Sequence, residues 1–558
     1  MTKTFQLETT FNNLSDKAWS LVLLCVAFAC FLPGFFAIPP VDRDETRFAQ
    51  SSRQMVQSGD YIDIQFQDGK RYKKPVGIYW LQSAAAHGVN TVTGGTDAPI
   101  WAYRIPSFVG GVLAVLFTFW IARAFVSAPI AGAAGLLMAG AILLNVEARI
   151  AKTDAFLLAT ILAAIGVLAR AWIKSDAKIS ISYFALFWGA IGFGILLKGP
   201  IVLLIVGLAT VSLSIVDRSV GLIGRLRPLF GVLLAALVAV PWFVAIGIKS
   251  EGAFFVEAGL VDFLAKVTNV KESHGGPPGI YAAVLIGTLW PVSLFFLTSV
   301  PTIIRSRKEK LVIFCLCWLI PSWLVFELTS TKLPHYVLPL YPALAIVTSY
   351  VVMKGLYADT LWKKILTGLW FVLPFVLTVA TFGGLIYLEG VVDPFILLSG
   401  GVATFAGYMA WQAYQKADKQ IVSIVFSVLS AFAVYVAVFQ FTFPKVQTIW
   451  VSNQMQALLE ETDNICPAPS VISVGYNEPS FAFLAPIDMR FKGPEDAALL
   501  LAEAPCRQVF VTNEAKDTFL TGLGTATPRE VGSFDGFKLN GGDPVTINLF
   551  TLAEGGNE

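Results

Sequence analysis

The chain has 558 residues, of which 56% are hydrophobic and only 14% are charged, and its formal net charge is +2. Soluble proteins carry about 25% charged residues, so this composition excludes an ordinary soluble domain and predicts a polytopic membrane protein. The chain has no basic stripe and no basic patch interleaved with aromatic residues, so no nucleic-acid partner is expected.

Apolar stretches recur through residues 1–441 and predict roughly thirteen transmembrane helices, each about 17 to 25 residues long. The first stretch has no small-residue cleavage site behind it, so we expect it to remain as a membrane anchor. The predicted spans are residues 19–38, 101–122, 129–146, 155–173, 181–197, 200–216, 229–248, 280–303, 311–328, 335–353, 365–387, 393–413 and 421–441.

The distribution of lysine and arginine predicts the orientation of these spans. Every second connection is basic, from Arg123 onward and including the segment 305–310. Because cytoplasmic loops carry an excess of lysine and arginine, the N-terminus is expected in the cytoplasm. The C-terminus is then expected on the opposite side, which is called the outer side below.

Two long connections are predicted on the outer side. Residues 39–100 contain two stretches of interfacial helical character, at 46–56 and 76–89. Residues 249–279 end in a glycine- and proline-rich segment, 272–279, which cannot be helical. That segment is either a flap over a site or a simple connector.

From about residue 442 the composition changes, and residues 442–558 predict a small α/β domain on the outer side. Cys466 and Cys506 both belong to it, and an oxidising compartment allows them to form a disulfide. The expected strands are 471–475, 508–512 and 546–550, and the expected helices are 454–461 and 495–504.

A charged segment follows the first span. Asp44 and Glu45 are adjacent carboxylates directly after Pro39-Pro40, and Arg47 lies three residues beyond Asp44. One interpretation is that Asp44, or Asp42 before it, only caps the helix that starts here. The other is that the carboxylates belong to a reaction site.

Charged groups in other outer turns favour the second interpretation. Lys198 and Lys332 occupy short turns between apolar helices, where an unpaired cation costs on the order of 2.5 kcal/mol, so a counter-anion such as phosphate is expected. Asp154 lies in a third outer turn, although a helix cap would also explain it. Lysines at helix ends can instead extend harmlessly to the membrane surface. Acids gathered beside lysines would suit a reaction that expels a phosphate.

Five motifs recur in a fixed order over residues 20–350. They are Asp44-Glu45-x-Arg47-Phe48-Ala49, Tyr72-Lys73-Lys74-Pro75 with Tyr79-Trp80, Leu197-Lys198-Gly199, Pro241-Trp242, and Lys332-Leu333-Pro334-His335-Tyr336. This ordered set resembles the aminoarabinose transferases that modify lipid A. More broadly, it resembles the protein O-mannosyltransferase-like glycosyltransferases of the GT-C fold.

The resemblance implies the GT-C fold for the membrane helices and roles for individual residues. An Asp at the position of Asp44 lies at the catalytic centre of that family, and lysines at the positions of Lys74 and Lys198 contact the polyprenyl phosphate. The candidate catalytic residues are therefore Asp44, Arg47 and Asp154, and the candidate substrate-binding residues are Glu45, Tyr72, Lys73, Lys74, Lys198, His274, Lys332 and Tyr336.

One departure from the family pattern concerns metal binding. The aminoarabinose transferases carry Phe-Glu-Lys-Pro where this chain has Tyr72-Lys73-Lys74-Pro75. Lys73 thus replaces the Glu that they use toward a bound metal, and no metal is predicted here. The donor sugar also stays open, because related enzymes carry neutral and acidic sugars on the same lipid.

The implied function is that of an inverting glycosyltransferase at the outer face of a bacterial inner membrane. It takes a sugar from a polyprenyl-phosphate donor and gives it to lipid A or another lipopolysaccharide component, within membrane lipids and without a cofactor. A same-fold transferase acting on protein or another envelope acceptor is one alternative. A lipid or solute transporter is another, although its charges would lie at mid-membrane rather than at one face. A non-enzymatic membrane scaffold is the third.

Overall fold

The structure is a computed structural model that describes residues 11, 13–174, 179–258, 276–357, 361–416, 418–461, 470–486, 489–504 and 506–552. Nine of the described helices are long and apolar enough to cross a membrane, and three shorter apolar helices accompany them. The chain is a multi-pass membrane protein. The helices up to residue 435 are Asp16–Phe31, Asp44–Ser58, Gly77–Thr93, Ile100–Ala122, Ala128–Gly140, Ile142–Glu147, Asp154–Ile173, Ile181–Lys198, Ile201–Val216, Gly221–Arg225, Pro228–Lys249, Ala253–Phe255, Ile280–Thr288, Val292–Arg305, Lys310–Leu328, Tyr341–Met353, Leu361–Thr367, Leu369–Glu389, Pro394–Tyr414 and Gln420–Tyr435.

Each predicted span coincides with one helix or with consecutive helical segments, so the apolar pattern located the membrane helices correctly. Several spans are broken, however. The span predicted at 129–146 divides at Ala141, whose backbone is extended, with φ −68° and ψ 126°. The short helix Ile142–Glu147 that follows changes direction and carries Glu147 beneath an outer turn.

The two predicted interfacial helices are also present, as Asp44–Ser58 and Gly77–Thr93. Neither Asp42 nor Asp44 caps the first of them. Arg43 occupies the cap position without a side-chain hydrogen bond, and Asp44 is the first helical residue. The cap interpretation of these two acids was therefore wrong.

Close helix contacts bring the outer turns together. A Cβ atom at Gly77 would lie 2.8 Å from the backbone of Leu196, so the start of helix Gly77–Thr93 packs directly on the end of helix Ile181–Lys198. A Cβ at Gly110 would lie 2.6 Å from the backbone of Phe156, at the start of helix Asp154–Ile173. Glycine permits both contacts because it has no side chain.

The described part of the chain contains seven strands. β1 (Gln65–Phe66) and β2 (Gly69–Lys70) form a small antiparallel hairpin in the first outer loop. The other five form one sheet of order β4-β3-β5-β7-β6, in which β3 is parallel to β4 and β5, and β7 is antiparallel to β5 and β6. These strands are β3 (Val471–Val474), β4 (Arg490–Phe491), β5 (Gln508–Thr512), β6 (Arg529–Phe537) and β7 (Pro544–Thr551).

Side chains alternate across this C-terminal sheet. Phe510 of β5 packs with the core that includes helices Val451–Glu461 and Pro479–Leu484, whereas its neighbours Val509 and Val511 pack with helices Pro494–Glu503 and Asn513–Gly522. The predicted strands and helices of this region are confirmed. Cys506 is disulfide-bonded, and Cys466 lies outside the described residues.

The C-terminal sheet region contacts the first outer loop. Nη1 of Arg53, on helix Asp44–Ser58, donates to the carbonyl oxygen of Phe483 at 2.9 Å. The backbone N–H of Ser480 donates to Oδ1 of Asp42 at 3.3 Å. We call the end of the bundle that carries residues 39–100 the outer end.

Candidate functional site

An ion pair between two helix termini forms the centre of the site. Lys198 is in the last turn of helix Ile181–Lys198, and Asp154 is in the first turn of the preceding helix, Asp154–Ile173, where the helix dipoles favour their respective charges. The Lys198 Nζ lies 2.5 Å from Asp154 Oδ1. Gly199, with φ +67°, turns the chain directly after Lys198. Asp154 therefore pairs with a cation rather than capping its helix.

A cavity of about 430 Å³ opens beside this pair. Its wall contains both charged or polar residues and apolar ones. The charged or polar residues include Lys73, Lys74, Asp154, Lys198, Thr329, Thr331, His335 and Tyr336, and the apolar residues include Leu157, Ile195, Ile201, Leu203, Phe243, Phe254, Phe255, Ala258 and Phe326. Lys198 Nζ also lies 5.5 Å from the centroid of the Tyr336 ring. Such a cavity suits an anion attached to a hydrocarbon chain.

A second cluster lies behind the cavity. Glu147 is 3% exposed, and its Oε1 lies 3.7 Å from Lys152 Nζ and 4.0 Å from His335 Nδ1. The other carboxylate oxygen, Oε2, has no hydrogen-bond donor among the described residues. A buried carboxylate oxygen without a donor is uncommon, and such groups occur at functional sites.

The titration of this cluster follows from its burial. Burial raises the pKa of Glu147 to about 7, and the nearby lysine Lys152 opposes the increase. Burial alone would lower the pKa of Lys152, but the carboxylates of Glu147 and Asp154 raise it above its ordinary value. The cluster therefore contains a charged lysine beside a carboxyl group that holds its proton more tightly than an ordinary glutamate.

Asp44 lies at the edge of this charged cluster. Its side chain is exposed, and it interacts electrostatically with Glu147, Lys152 and Tyr79. The preceding residue, Arg43, has φ +65° and ψ −99°, a backbone conformation that costs on the order of 1–3 kcal/mol for a residue with a side chain. Strain of this kind is typical of reactive loops.

Glu45 has a different environment from its neighbour Asp44. It is 1% exposed, and both its oxygens are occupied. Arg104 donates to them at 2.8 and 2.9 Å, and the backbone N–H groups of Val41 and Ala151 donate at 2.8 and 2.9 Å. The structure thus places Glu45 in a buried link between three segments and away from the cavity wall.

The other predicted substrate-binding residues divide into two groups. Lys73, Lys74, Lys198 and Tyr336 line the cavity, together with the predicted catalytic residue Asp154. Tyr72 is buried and donates from its hydroxyl to Asp63 at 2.9 Å, and Lys332 Nζ donates to the carbonyl of Gly276 at 2.9 Å. Arg47 is half-buried on helix Asp44–Ser58. His274 lies outside the described residues.

The candidate residues chosen from the sequence omit three members of the cluster, namely Glu147, Lys152 and His335. The sequence does contain a signal for all three residues. Glu147 and Lys152 occupy the same short outer turn as Asp154, and His335 precedes Tyr336 in a motif already noted. Within the described residues, no three histidine, cysteine or acidic side chains are grouped so as to hold a metal ion.

Comparison with known proteins places this geometry in context. The family model described as dolichyl-phosphate-mannose-protein mannosyltransferase matches residues 73–245. The undecaprenyl phosphate-alpha-4-amino-4-deoxy-L-arabinose arabinosyl transferase of Edwardsiella ictaluri is 28% identical over 342 residues, which are 60% of this chain and 58% of that protein. Transferase 1 of the same description from Pseudomonas fluorescens is 26% identical over 62% of this chain and 60% of its own length.

One solved structure matches nearly the whole chain. The crystal structure of ArnT from Cupriavidus metallidurans bound to undecaprenyl phosphate superposes with a TM-score of 0.75 at 18% identity, covering 95% of this chain and 98% of that one. This match includes the C-terminal sheet region as well as the helices. The sequence relatives, by contrast, are matched over less than two thirds of their length. The chain therefore has the GT-C glycosyltransferase fold and resembles the aminoarabinose transferases among the proteins that share it.

Proposed function

We propose that this protein is an inverting glycosyltransferase that moves a sugar from a polyprenyl-phosphate donor to an acceptor at the outer end of the bundle. The acceptor would be lipid A or another component of the lipopolysaccharide. The protein would lie in a bacterial inner membrane, with its N-terminus in the cytoplasm and the C-terminal sheet region in the periplasm. The activity needs no nucleotide, because the phosphate leaving group is already part of the donor.

The observation that carries this proposal is the mixed lining of the cavity. Lys74 and Lys198 line it together with the apolar residues Phe243, Phe254 and Leu203. A polyprenyl phosphate has the same mixed character, with an anionic phosphate joined to a long hydrocarbon chain. Burial of apolar surface would stabilise the chain at roughly 25 cal/mol per Å². Charge-assisted hydrogen bonds would hold the phosphate.

The lysines would stabilise the leaving group. As the bond between the sugar and the phosphate breaks, negative charge accumulates on the phosphate oxygens, and cations placed beforehand lower the barrier. Lys198 is positioned for this role by Asp154, at 2.5 Å, and Tyr336 lies beside it. Lys74 and Lys73 would contact the same phosphate, and Lys332 would hold the adjoining segment through Gly276.

Asp44 would act on the acceptor. If the acceptor is a hydroxyl group, its proton must leave as the new bond to the sugar forms, and an exposed carboxylate at the site edge is a suitable base. If the acceptor is already a phosphate, no proton needs removal and Asp44 would only orient it. Arg47 and Glu45 would position this segment of helix rather than react.

Mass spectrometry of cell-envelope glycans would test the proposal. Lipid A, core sugars and polyprenyl-phosphate sugars would be compared in cells with and without the gene, complemented by wild type, Asp44→Asn or Lys74→Ala. Asp517→Asn and Lys364→Ala, both exposed and far along the chain from the site, serve as matched controls.

The expected result is one glycoconjugate that lacks a sugar while the corresponding lipid carrier accumulates. Neither site variant should restore the sugar, whereas both controls should. The sugar and the acceptor would then be identified directly. Unchanged glycans in the cells without the gene, or full rescue by both site variants, would exclude the transferase and favour a transporter or scaffold. Protein-linked glycans lost in place of lipid A sugars would identify a protein acceptor.

A further inference from the structure

His335 lies between the cavity and the buried carboxylate of Glu147. The imidazole is part of the cavity wall, and its Nδ1 faces Glu147 Oε1 at 4.0 Å. The side chain of His335 is 13% exposed and that of Glu147 is 4% exposed. A histidine backed by a carboxylate in this way can carry a proton toward whatever occupies the cavity.

The distances from Glu147 to Lys152 and His335 are too long for hydrogen bonds. Glu147 Oε1 is 3.7 Å from Lys152 and 4.0 Å from His335, and Oε2 has no donor among the described residues. The carboxylate therefore has unused capacity to accept hydrogen bonds. A charged imidazole would use that capacity by donating its Nδ1–H to Glu147.

The charges around His335 determine when it carries a proton. Burial of the imidazole is the largest influence and opposes an added positive charge; Asp154 favours that charge, and Lys152, Lys198 and Lys74 also oppose it. An anionic phosphate placed beside Lys198 and Lys74 would offset the lysines. Binding of the donor would then change the balance in favour of imidazolium.

We propose that His335 takes up one proton from solvent when the donor phosphate enters the cavity, and that Glu147 holds the resulting imidazolium in place. This inference rests on the proposed function, because it assigns a further residue to the donor phosphate site. His335 is a phosphate-binding residue, and Glu147 is a positioning residue that acts through it. The proton returns to solvent when the polyprenyl phosphate leaves.

Within the described residues, the charged groups of the neighbouring helices are as follows. Helix Ile100–Ala122 contributes Arg104, which is paired with Glu45. Helix Lys310–Leu328 contributes Glu327, whose Oε2 accepts the N–H of Gly279. Helix Ile280–Thr288 has no acidic or basic side chain, and its Tyr281 is buried. Asp44 acts on Glu147 from helix Asp44–Ser58.

Calorimetric binding of undecaprenyl methyl phosphate to the full chain would test the proposal. This probe is a phosphodiester, so it carries one charge at every pH from about 5.5 to 8.5 and any protons taken up belong to the protein. Titration in two buffers of different ionisation enthalpy counts those protons. The variants are His335→Gln and Glu147→Gln, with Glu309→Gln as a matched carboxylate-to-amide control. Glu309 accepts a hydrogen bond from the hydroxyl of Tyr350 and lines a different cavity.

Wild type and Glu309→Gln should take up protons on binding, more of them at pH 6.5 than at pH 8, and their affinity should rise by up to about tenfold per unit fall in pH. His335→Gln should take up none and bind with little dependence on pH. Glu147→Gln should bind more weakly and take up less than half a proton. Thermal unfolding of each variant establishes that it is folded.

Two results would overturn the inference in distinguishable ways. If wild type binds the probe but takes up no proton, or if both site variants retain the proton uptake of wild type, the role of His335 fails while the donor site stands. If wild type does not bind the probe at any pH, the proposed function fails together with the inference.

Discussion

Arg104 donates to both carboxylate oxygens of Glu45, from Nε at 2.8 Å and from Nη2 at 2.9 Å, and both side chains are fully buried. The guanidinium also donates to the carbonyls of Phe35, Ile38 and Pro39. This link fixes the end of the first membrane helix to the start of helix Asp44–Ser58. Asp44, one residue earlier, is exposed. The two adjacent acids thus have different roles: Glu45 stabilises the structure, and Asp44 belongs to the candidate site.

Glu45→Gln should destabilise the protein, because Arg104 would keep its charge in a dry interior without a counter-charge. Breaking a buried pair from one side costs about 3–5 kcal/mol. Thermal unfolding of the purified protein should therefore shift to clearly lower temperature. Asp44→Asn should unfold within about 0.5 kcal/mol of wild type but fail to transfer sugar. Equal stability of both variants would refute the division of roles.

The Asp154–Lys198 pair leads to a prediction about donor affinity. Asp154→Asn leaves Lys198 partly buried without its anion, so the ligand-free protein should lose stability. A phosphate ligand then supplies the missing charge, and undecaprenyl phosphate should bind at least about tenfold more tightly than to wild type. Lys198→Met should weaken binding instead. Ligand-induced thermal shifts measure both, and an unchanged affinity in Asp154→Asn would contradict the pairing argument.

The sequence was most informative where one physical signal dominates. Stretches of apolar residues located the nine described helices that are long and apolar enough to cross a membrane, because the bilayer demands continuous apolar length. The short run of β-branched and aromatic residues in the segment 508–512 predicted β5 with its observed bounds. β6 was missed because most of its side chains are exposed at the edge of the sheet, and the pattern is weak there.

The site was predictable only in part. Lys198 and Asp154 were visible as charges in short apolar turns, and the structure brings them together. The structural role of Glu45 could not be predicted from the sequence, because its partner Arg104 lies 59 positions away inside a predicted membrane span. The cluster around Glu147 follows the break at Ala141, which no proline marks in the sequence. The side-chain amide of Asn145 donates to the carbonyls of Ala139 and Ala141 at this break.

Lys73 and Lys74 should differ in their effect on the donor. Lys74 is half-buried in the cavity wall, whereas Lys73 is exposed to solvent. A hydrogen bond to a charged group contributes about 1.5–3 kcal/mol where water is excluded, so Lys74→Ala should weaken donor binding by roughly 10- to 100-fold. Lys73→Ala should change it by about threefold or less, as for exposed charges. Binding of undecaprenyl phosphate at constant salt measures both, and a larger loss in Lys73→Ala would reverse the assignment.

Asp42 connects the site segment to the C-terminal sheet region, and this contact should depend on pH. Burial raises the pKa of Asp42 to about 7, while the hydrogen bond from Ser480 opposes the increase and Glu478 adds to it. An unfolded Asp titrates near about 3.9, so the folded state binds the proton more tightly. The stabilising contribution is therefore full below pH of about 4 and lost as pH rises toward 7.

Wild type should accordingly unfold at a higher temperature at pH 5.5 than at pH 8. The corresponding difference in the free energy of unfolding is on the order of 1 kcal/mol. Asp42→Asn keeps the shape of the side chain without the charge, so it should be more stable than wild type at pH 8 and show a smaller dependence on pH. Asp517→Asn, in an exposed helix of the same region, should retain the dependence of wild type. Scanning calorimetry between pH 5 and 8 measures all three proteins, and a wild-type stability that rises with pH across this window would contradict the assignment to Asp42.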